Sequence, residues 1–418
     1  MKLAIISDTH LGDPNSVLLP SADNASHSKY NDFIDAAGQD NDYLILLGDI
    51  LDFSIASYAG AYEAAKRFFC QIQKDKIANE IIYIAGNHDA DMWHMAEHEV
   101  NVINRIKHGK QPEPFRMAVA GILDDRQNAK EQFSLIGVGS NKKHGPKYGG
   151  LYLDFITKDV EDECSEPTCF NFAYPNCYFV TDEETILLTH GQYFGTYWSL
   201  AGEYAIDIAQ DDLPIGDELD IHELMGLNFP LNQLACTGIG QSGPLKELAF
   251  HIQREKKDGD LDRIKEYVER GLERFLPKGI FAPLRFLLSL YLKNKILEKL
   301  MDQPTARFNT RFYDEEHVAK RIRKYLQACF RELEAINKLY SEPIGRPKTL
   351  LCGHTHEPIA TDASTRDAEF RLDDTASLRI LNSGGWLTRK DAQGEEKFVG
   401  AVVFKYETGK GLGSVLIE

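Results

Sequence analysis

The sequence predicts an α/β protein: two packed mixed sheets with helices outside and a large helical insertion. Three observations predict it. First, five apolar runs, LAIIS, YLILL, IIYIA, TILLT and TLLC, each end in a polar motif, and a buried strand reads as such a run. Second, the runs alternate with stretches of helical spacing early in the chain and with hairpin signals later. Third, 163 residues separate His190 from His354. A connection without structure of its own is rarely so long inside a compact domain.

The elements follow in order. LAIIS opens the first sheet and leads into a loop at His10. Residues 28–37 are a candidate helix before YLILL. Residues 61–74, AYEAAKRFFCQIQK, place apolar side chains at helical spacing before IIYIA. FSLIGVGS, residues 133–140, is a further strand, and CYFVTDEETILLTH reads as a hairpin turning around Asp182 to Glu184. After the insertion come TLLCGHTH, LRILNSGGW, FVGAVVFKY and GSVLIE, the last two joined by a glycine-containing turn at Thr408 to Gly413. The core is thereby assigned to residues 1–200 and 345–418, and the insertion to 201–344.

From about Gly243 to Tyr340 the insertion carries apolar residues three and four apart among charges. It reads as a cap or lid over the site. Its most apolar stretch, IFAPLRFLLSLYLKNKILEKL at 280–300, is too short and too charged to span a bilayer. A helix in the core of the insertion is the plain reading. A basic amphipathic helix against a membrane or a lipid substrate is the alternative.

A chain of 418 residues can bury a large core, and 43% hydrophobic with 27% charged residues describes an ordinary globular protein. The formal charge of −17 argues against a general nucleic-acid binder, since an acidic surface repels a phosphate backbone. The charge is uneven. Between Pro244 and Glu342, 21 Lys and Arg face 16 Asp and Glu, a balance of +5 that leaves −22 for the rest. The first strand begins almost at Met1, leaving no room for a signal peptide before it. The seven cysteines are an odd number without a CxxC pair, which suits reduced thiols. A cytoplasmic protein is therefore expected. Cys164, Cys169 and Cys177, with His144 upstream, offer enough ligands for a structural zinc site. Their spacing fits no common zinc pattern, so free thiols are the preferred reading.

The polar ends of the five runs carry the chemistry. They are Asp8-Thr9-His10, Gly48-Asp49-Ile50-Leu51-Asp52, Gly86-Asn87-His88-Asp89, His190-Gly191 and Gly353-His354-Thr355-His356. Ligands of open α/β sheets bind at the carboxyl ends of strands. Asp, Asn and His supply oxygen and nitrogen donors that suit Mn²⁺, Fe or Zn²⁺. Two such ions about 3.5–4 Å apart can activate water and hold phosphoryl oxygens. The five motifs together read as ligands for one metal pair, and the reaction class as hydrolysis of a phosphate ester or anhydride.

This set resembles the calcineurin-like metallophosphoesterase superfamily over residues 1–200 and 345–418, with every ligand position of the family pattern filled. The resemblance implies a four-layer α/β/β/α sandwich and a centre of two metal ions, Mn²⁺ first, with Fe, Zn, Ni or Co as alternatives. It implies that Asp49 bridges the ions. Asp8, His10 and His356 then complete one metal site, and Asn87, His190 and His354 the other. It further implies that His88 is not a ligand but faces the scissile phosphate as an acid, oriented by Asp52. A near-neutral imidazole suits that task. Asp89 reads as a turn residue.

Departures from the family are informative. Its phosphoprotein phosphatases usually carry Arg directly after GDxxD, and GNHE; here Phe53 and Asp89 stand in those places. That weakens a protein-phosphatase reading, because Arg would grip a phosphomonoester in a bidentate fork. Asn382-Ser383-Gly384-Gly385-Trp386 is similar to a stretch in the branch that includes UDP-2,3-diacylglucosamine pyrophosphatases, which also carry a helical lid. A tight strand-end turn with a packing Trp is the preferred reading. His94-Met95-Ala96-Glu97-His98 fits a zinc-protease pattern, but it directly follows GNHD and reads as a surface helix, with His94 or His98 lining the cleft as the alternative. Lys142 and Lys143 read as solvated loop residues.

The function expected is a dimetal phosphoesterase acting on a small or lipid-linked phosphodiester or diphosphate, with peripheral membrane contact as the alternative reading of the insertion. A nuclease of the same superfamily is disfavoured by the acidity, although the positive stretch 244–342 keeps it in view. A non-catalytic scaffold is disfavoured because no ligand position has been lost.

Overall fold

The computed structural model describes residues 1–18, 28–129, 131–136, 169–195, 198, 199, 201–203, 206, 218–241, 266, 312–338, 342–363, 368–373, 376–390 and 395–418. The insertion stretch 280–300 lies outside them, as do Lys142, Lys143, His144 and Cys164.

The strands, in chain order, begin with β1 (Lys2–Ile6), β2 (Asn41–Leu47), β3 (Ala78–Ile84), β4 (Gly121–Asp124) and β5 (Phe133–Leu135). Then come β6 (Cys169–Ala173), β7 (Asn176–Val180), β8 (Thr185–Thr189), β9 (Thr349–Cys352), β10 (Pro358–Ile359) and β11 (Glu369–Arg371). The last are β12 (Ser377–Ser383), β13 (Thr388–Lys390), β14 (Glu396–Phe398), β15 (Ala401–Glu407) and β16 (Gly411–Ile417). The longer helices are α1 (Tyr30–Ala37), α2 (Tyr58–Lys74), α3 (Ala90–His98), α4 (Ile221–Gln233) and α5 (Glu316–Asn337).

One sheet runs β16-β15-β1-β2-β3-β6, and the other β10-β12-β9-β8-β7-β4-β5 with β11 on β12. β1, β2, β3 and β6 are mutually parallel, and β15 and β16 extend that sheet in antiparallel fashion. In the second sheet β8, β9 and β12 are parallel while β7 pairs antiparallel with β8. The expected hairpin is this β7–β8 pair, with Asn176 opposite Thr189.

Strand alternation builds the layers. Leu3 and Ile5 lie in the core between the sheets with Ile45, Leu47, Leu188, Leu351 and Leu381. Ala4 and Ile6 face the other way and share a core with Phe33 of α1 and Phe68 and Phe69 of α2. The second sheet repeats the pattern: Leu187 and Leu350 turn outward to the core that holds Tyr325, Leu326 and Cys329 of α5. Successive side chains of a strand point to opposite faces, so the result is helix, sheet, sheet, helix. This is the mixed α/β architecture expected.

Local signals explain the boundaries. α2 begins at Tyr58, three residues before the stretch picked by spacing, because the Ser57 hydroxyl caps it by accepting from Gly60 N at 3.2 Å. β5 ends at Leu135, and residues 137–140 lie outside the described set. In α5, Val318, Ile322, Tyr325, Cys329, Leu333 and Ile336 form one buried stripe. The sequence boundaries place that helix in the insertion, and it packs as the outer layer of the second sheet. Tyr325 donates its hydroxyl to Asn176 Oδ1 at 2.7 Å, and Tyr178 donates to Glu332 at 2.6 Å. Cys177 sits in the core between the sheets, where burial pushes its thiol up to about 12. Among the described residues no helix is long and apolar enough to cross a membrane.

Glu332 gives the fold a pH dependence. Burial pushes its carboxyl from 4.5 up to about 6, and bonds from Tyr178 and Asn176 only partly offset this. The folded pKa exceeds the unfolded one, so the stability it contributes is fully present below pH 4.5 and is lost as pH rises through about 6. A shift of that size corresponds to roughly 2 kcal/mol. Metal-free Glu332→Gln protein should therefore melt above wild type at pH 8, and the difference should vanish near pH 4.5. A difference in Tm that ignores pH would show the carboxylate to be well solvated.

Candidate metal centre and its acid

Each motif follows the carboxyl end of its strand: Asp8 after β1, Asp49 after β2, Asn87 after β3, His190 after β8 and His354 after β9. The backbone there is unusual. Asp8 (φ 52°), His10 (46°), Asp49 (52°), His354 (69°) and His356 (59°) are all left-handed. Such residues cost of order 1–3 kcal/mol each and persist where the surroundings over-determine them. Gly48 (φ 82°) has no room for a side chain, because a Cβ would collide with the His190 ring.

Cross-links hold these loops together. Asp8 N donates to Gly48 O at 3.0 Å, His10 N to Asp49 O at 2.9 Å and Gly353 N to His190 O at 3.0 Å. Asp89, expected as a turn residue, is a strut between loops, accepting from Gly86 N at 2.6 Å and Ile50 N at 2.8 Å, and from the Tyr83 hydroxyl. Asn382 Nδ2 donates to Gly353 O at 2.7 Å and Thr355 Oγ1 at 3.1 Å, while Trp386 N donates to Asp8 O at 3.0 Å. The Asn382–Trp386 segment thus braces the metal loops, which is the plainer of its two readings.

The side chains converge as three groups: Asp8 with His10 and His356, Asp49 with His190 and His354, and Asp52 with His10 and His88. Within each group the donor atoms lie within 4.8 Å of one another. Asp8 Oδ1 is 3.1 Å from His356 Nε2. Asp49 Oδ2 is 3.1 Å from His190 Nε2 and 3.8 Å from His10 Nε2, so it stands between the first two groups. His10 Nδ1 faces Asp52 Oδ2 at 2.9 Å and His190 Nδ1 faces Leu47 O at 2.9 Å. Both acceptors keep the proton on Nδ1 and turn an Nε2 lone pair toward the groups. Asn87 is buried, and among the described residues neither of its amide atoms has a hydrogen-bond partner. An unsatisfied buried acceptor costs about 1–3 kcal/mol, and a cation would satisfy Oδ1. This donor set fits a pair of metal ions.

The electrostatics agree. Burial opposes the charge of Asp8, Asp49 and Asp52, but the surrounding histidines hold all three below the usual carboxylate range. Burial also opposes the charge of His10 and His190, yet the carboxylates raise both, His190 to about 9. Buried anions demand positive charge among them. Protons on imidazoles or metal ions can supply it, and metal binding would release those protons.

His88 differs from the ligands. Its side chain is 28% exposed, against 3% for His10, 0% for His190 and 15% for His356. Its Nδ1 is 3.0 Å from Asp52 Oδ1, and its backbone N donates to Asp49 Oδ1 at 2.7 Å. Burial lowers its pKa, but the charges of Asp52 and Asp49 more than offset that and raise it. One carboxylate, Asp52, therefore serves His10 through Oδ2 and His88 through Oδ1.

Two neighbours carry no sequence signal. Ser54 Oγ lies 2.7 Å from His88 Nδ1, and Arg389 Nη2 donates to His356 Nδ1 at 2.8 Å. His94 and His98 stack at 4.4 Å beside Phe115, and His94 Nδ1 meets Gln233 Nε2 of α4 at 3.0 Å. α3 is therefore a largely buried seat for α4 rather than a surface helix.

No curated protein matches the chain. A family model for calcineurin-like phosphoesterases matches residues 1–215, just over half of the sequence. The chain thus belongs to the calcineurin-like phosphoesterase family, metal-dependent hydrolases of phosphate esters.

Proposed function

We propose that the protein is a cytosolic dimetal phosphoesterase that cleaves a phosphodiester or a diphosphate in a lipid- or nucleotide-linked substrate. Asp8, His10 and His356 would hold one ion and Asn87, His190 and His354 the other, with Asp49 between them. Mn²⁺ is the first candidate, then Fe, Zn, Ni or Co. The bound pair supplies an activated water and positive charge for the phosphoryl oxygens. His88, oriented by Asp52, gives its Nε2 proton to the departing oxygen.

The observation that carries the choice of substrate class is Phe53. It directly follows Asp52, is fully buried, and meets the Tyr58 ring edge-on at 4.9 Å. That position offers no guanidinium fork for a phosphomonoester dianion. A diester or a diphosphate carries less charge per phosphorus and leaves as an oxygen anion that His88 can protonate.

The test is a substrate panel with Mn²⁺-loaded protein: a chromogenic diester, a nucleoside diphosphate derivative, a chromogenic monoester and single-stranded DNA. Higher kcat/KM on the diester or diphosphate is the expected result. Preference for the monoester overturns the reading, and preference for DNA moves it to a nuclease.

The insertion is assigned to substrate choice. Its stretch 244–342 is positive in an otherwise acidic chain, and its most apolar part carries Arg285, Lys293 and Lys295. Replacing all three with Gln should lower activity on a lipid-linked diphosphate while sparing a small chromogenic diester. Flotation with anionic vesicles at low salt checks the membrane contact, and a protein that stays at the bottom of the gradient dismisses it.

A further inference from the structure

One turn of the insertion is bonded directly to the two catalytic loops. α4 continues into a wider turn, Leu234–Ile239, and the chain then reaches Gln241. Gln241 Nε2 donates to the carbonyls of Phe53 at 3.1 Å, Ala56 at 3.2 Å and Cys236 at 3.4 Å, and its Oε1 accepts from Tyr58 N at 3.0 Å. Gly240 lies so close to the Phe53 carbonyl that a Cβ would collide with it. Cys236 Sγ donates to Asn87 O at 3.2 Å, and Thr237 Oγ1 donates to Asp91 at 2.6 Å. The loop after Asp52 and the loop that carries His88 are both fastened by this one turn.

The gripped segment, Phe53 to Ala56, contains Ser54. Ser54 Oγ donates to Asp52 Oδ1 at 2.6 Å and lies 2.7 Å from His88 Nδ1. Its backbone N and that of Ile55 also donate to Asp52 Oδ1, each at 3.0 Å. The His88 Nδ1 proton therefore has two acceptors, Asp52 and Ser54. An imidazole held on one acceptor can still swing about its outer torsion. A second acceptor, on a turn that cannot shift, fixes the plane of the ring.

We propose that Ser54 and Gln241 are positioning residues for His88. Gln241 holds the Phe53–Ala56 turn, and Ser54, within that turn, sets the imidazole so that Nε2 faces the phosphoryl group. The substrate-selecting insertion thereby also supports the acid. This rests on the reading of His88 as the acid, and the test separates the two.

The test uses the full chain loaded with Mn²⁺ and aryl phosphodiesters of graded leaving-group pKa. Ser54→Ala should lower kcat about tenfold, the lower end for losing a supporting hydrogen bond at a site, with KM unchanged. The loss should grow as the leaving group becomes more basic. Ser54→Thr, which keeps the hydroxyl, should recover most of it. Gln241→Ala should give a similar fall, and the double variant should be no worse than the worse single, because both act on one ring. Metal content should stay at the wild-type value in every variant. In metal-free protein, the Nδ1 proton resonance of His88 should shift in Ser54→Ala and broaden in Gln241→Ala. If Ser54→Ala keeps both the kcat and the resonance of wild type while His88→Ala is crippled, the role of Ser54 is lost and the acid stands. If the two losses multiply, Gln241 does not act through Ser54. If wild type cleaves no ester, the acid reading fails, and an unchanged resonance in Ser54→Ala overturns the positioning role as well.

Discussion

Asp49→Asn should leave both metal positions nearly empty. Wild-type protein reconstituted with Mn²⁺ should approach two ions per chain by elemental analysis. The variant should lose at least about 100-fold in affinity, because it removes a shared ligand charge and not merely a supporting contact. Asp49 Oδ2 stands 3.1 Å from His190 Nε2 and 3.8 Å from His10 Nε2, so one negative charge serves both groups. Asn keeps the shape, and its oxygen can still accept the His88 N–H that Asp49 Oδ1 takes at 2.7 Å. What is lost is charge. Two controls sharpen the reading. His356→Gln touches only the Asp8 group and should lower the stoichiometry toward one. Metal-free Asp49→Asn should be less stable than metal-free wild type at neutral pH, since the buried imidazoles lose the carboxylate they surround, while the rise in Tm that Mn²⁺ gives wild type should disappear. A variant that still binds two ions would remove Asp49 from its place between them.

The sequence showed the strands and the residues at their ends because the two signals coincide. β1, β2, β3, β8 and β9 are buried on both faces, so each reads as a continuous apolar run, and the polar residue that stops it is the one the fold exposes to the site. Asp8 and His354 are 346 positions apart, yet His354 N donates to Asp8 Oδ1 at 3.1 Å. Only the motif pattern could pair them in advance. α5 shows the limit. Its apolar stripe predicts a helix, but the same stripe suits a cap and an outer layer, and only Tyr178 and Asn176 beneath it decide. His94 and His98 have metal-ligand spacing, and the aromatic packing around them leads elsewhere. Asn382 and Trp386 read first as a strand-end turn with a packing Trp, and they brace the metal loops. Ser54 and Gln241 belong to no period and no motif. Gln241 meets Phe53 across 188 positions, through a loop whose approach a single sequence does not encode legibly.

His88→Ala should lower turnover by about 10²–10⁴-fold, the usual scale for a lost general acid, with both ions still bound. The geometry separates these outcomes. The His88 side chain belongs to neither the Asp8 group nor the Asp49 group, and meets His10 only in a third, around Asp52. Its contribution to the metal loops is a backbone N–H to Asp49, which alanine retains. The loss should fall mainly on substrates with a basic leaving oxygen. A nitrophenolate departs with little need of a proton, so the same variant should be hurt less on a chromogenic diester. Asp52→Asn should behave differently, because Asp52 faces His10 at 2.9 Å as well as His88 at 3.0 Å. That variant should lose turnover and also weaken metal at the Asp8 group, whereas His88→Ala should lose turnover alone. Elemental analysis beside a leaving-group series distinguishes them. A site emptied by His88→Ala would make His88 a ligand, and the proton would then have to come from another group.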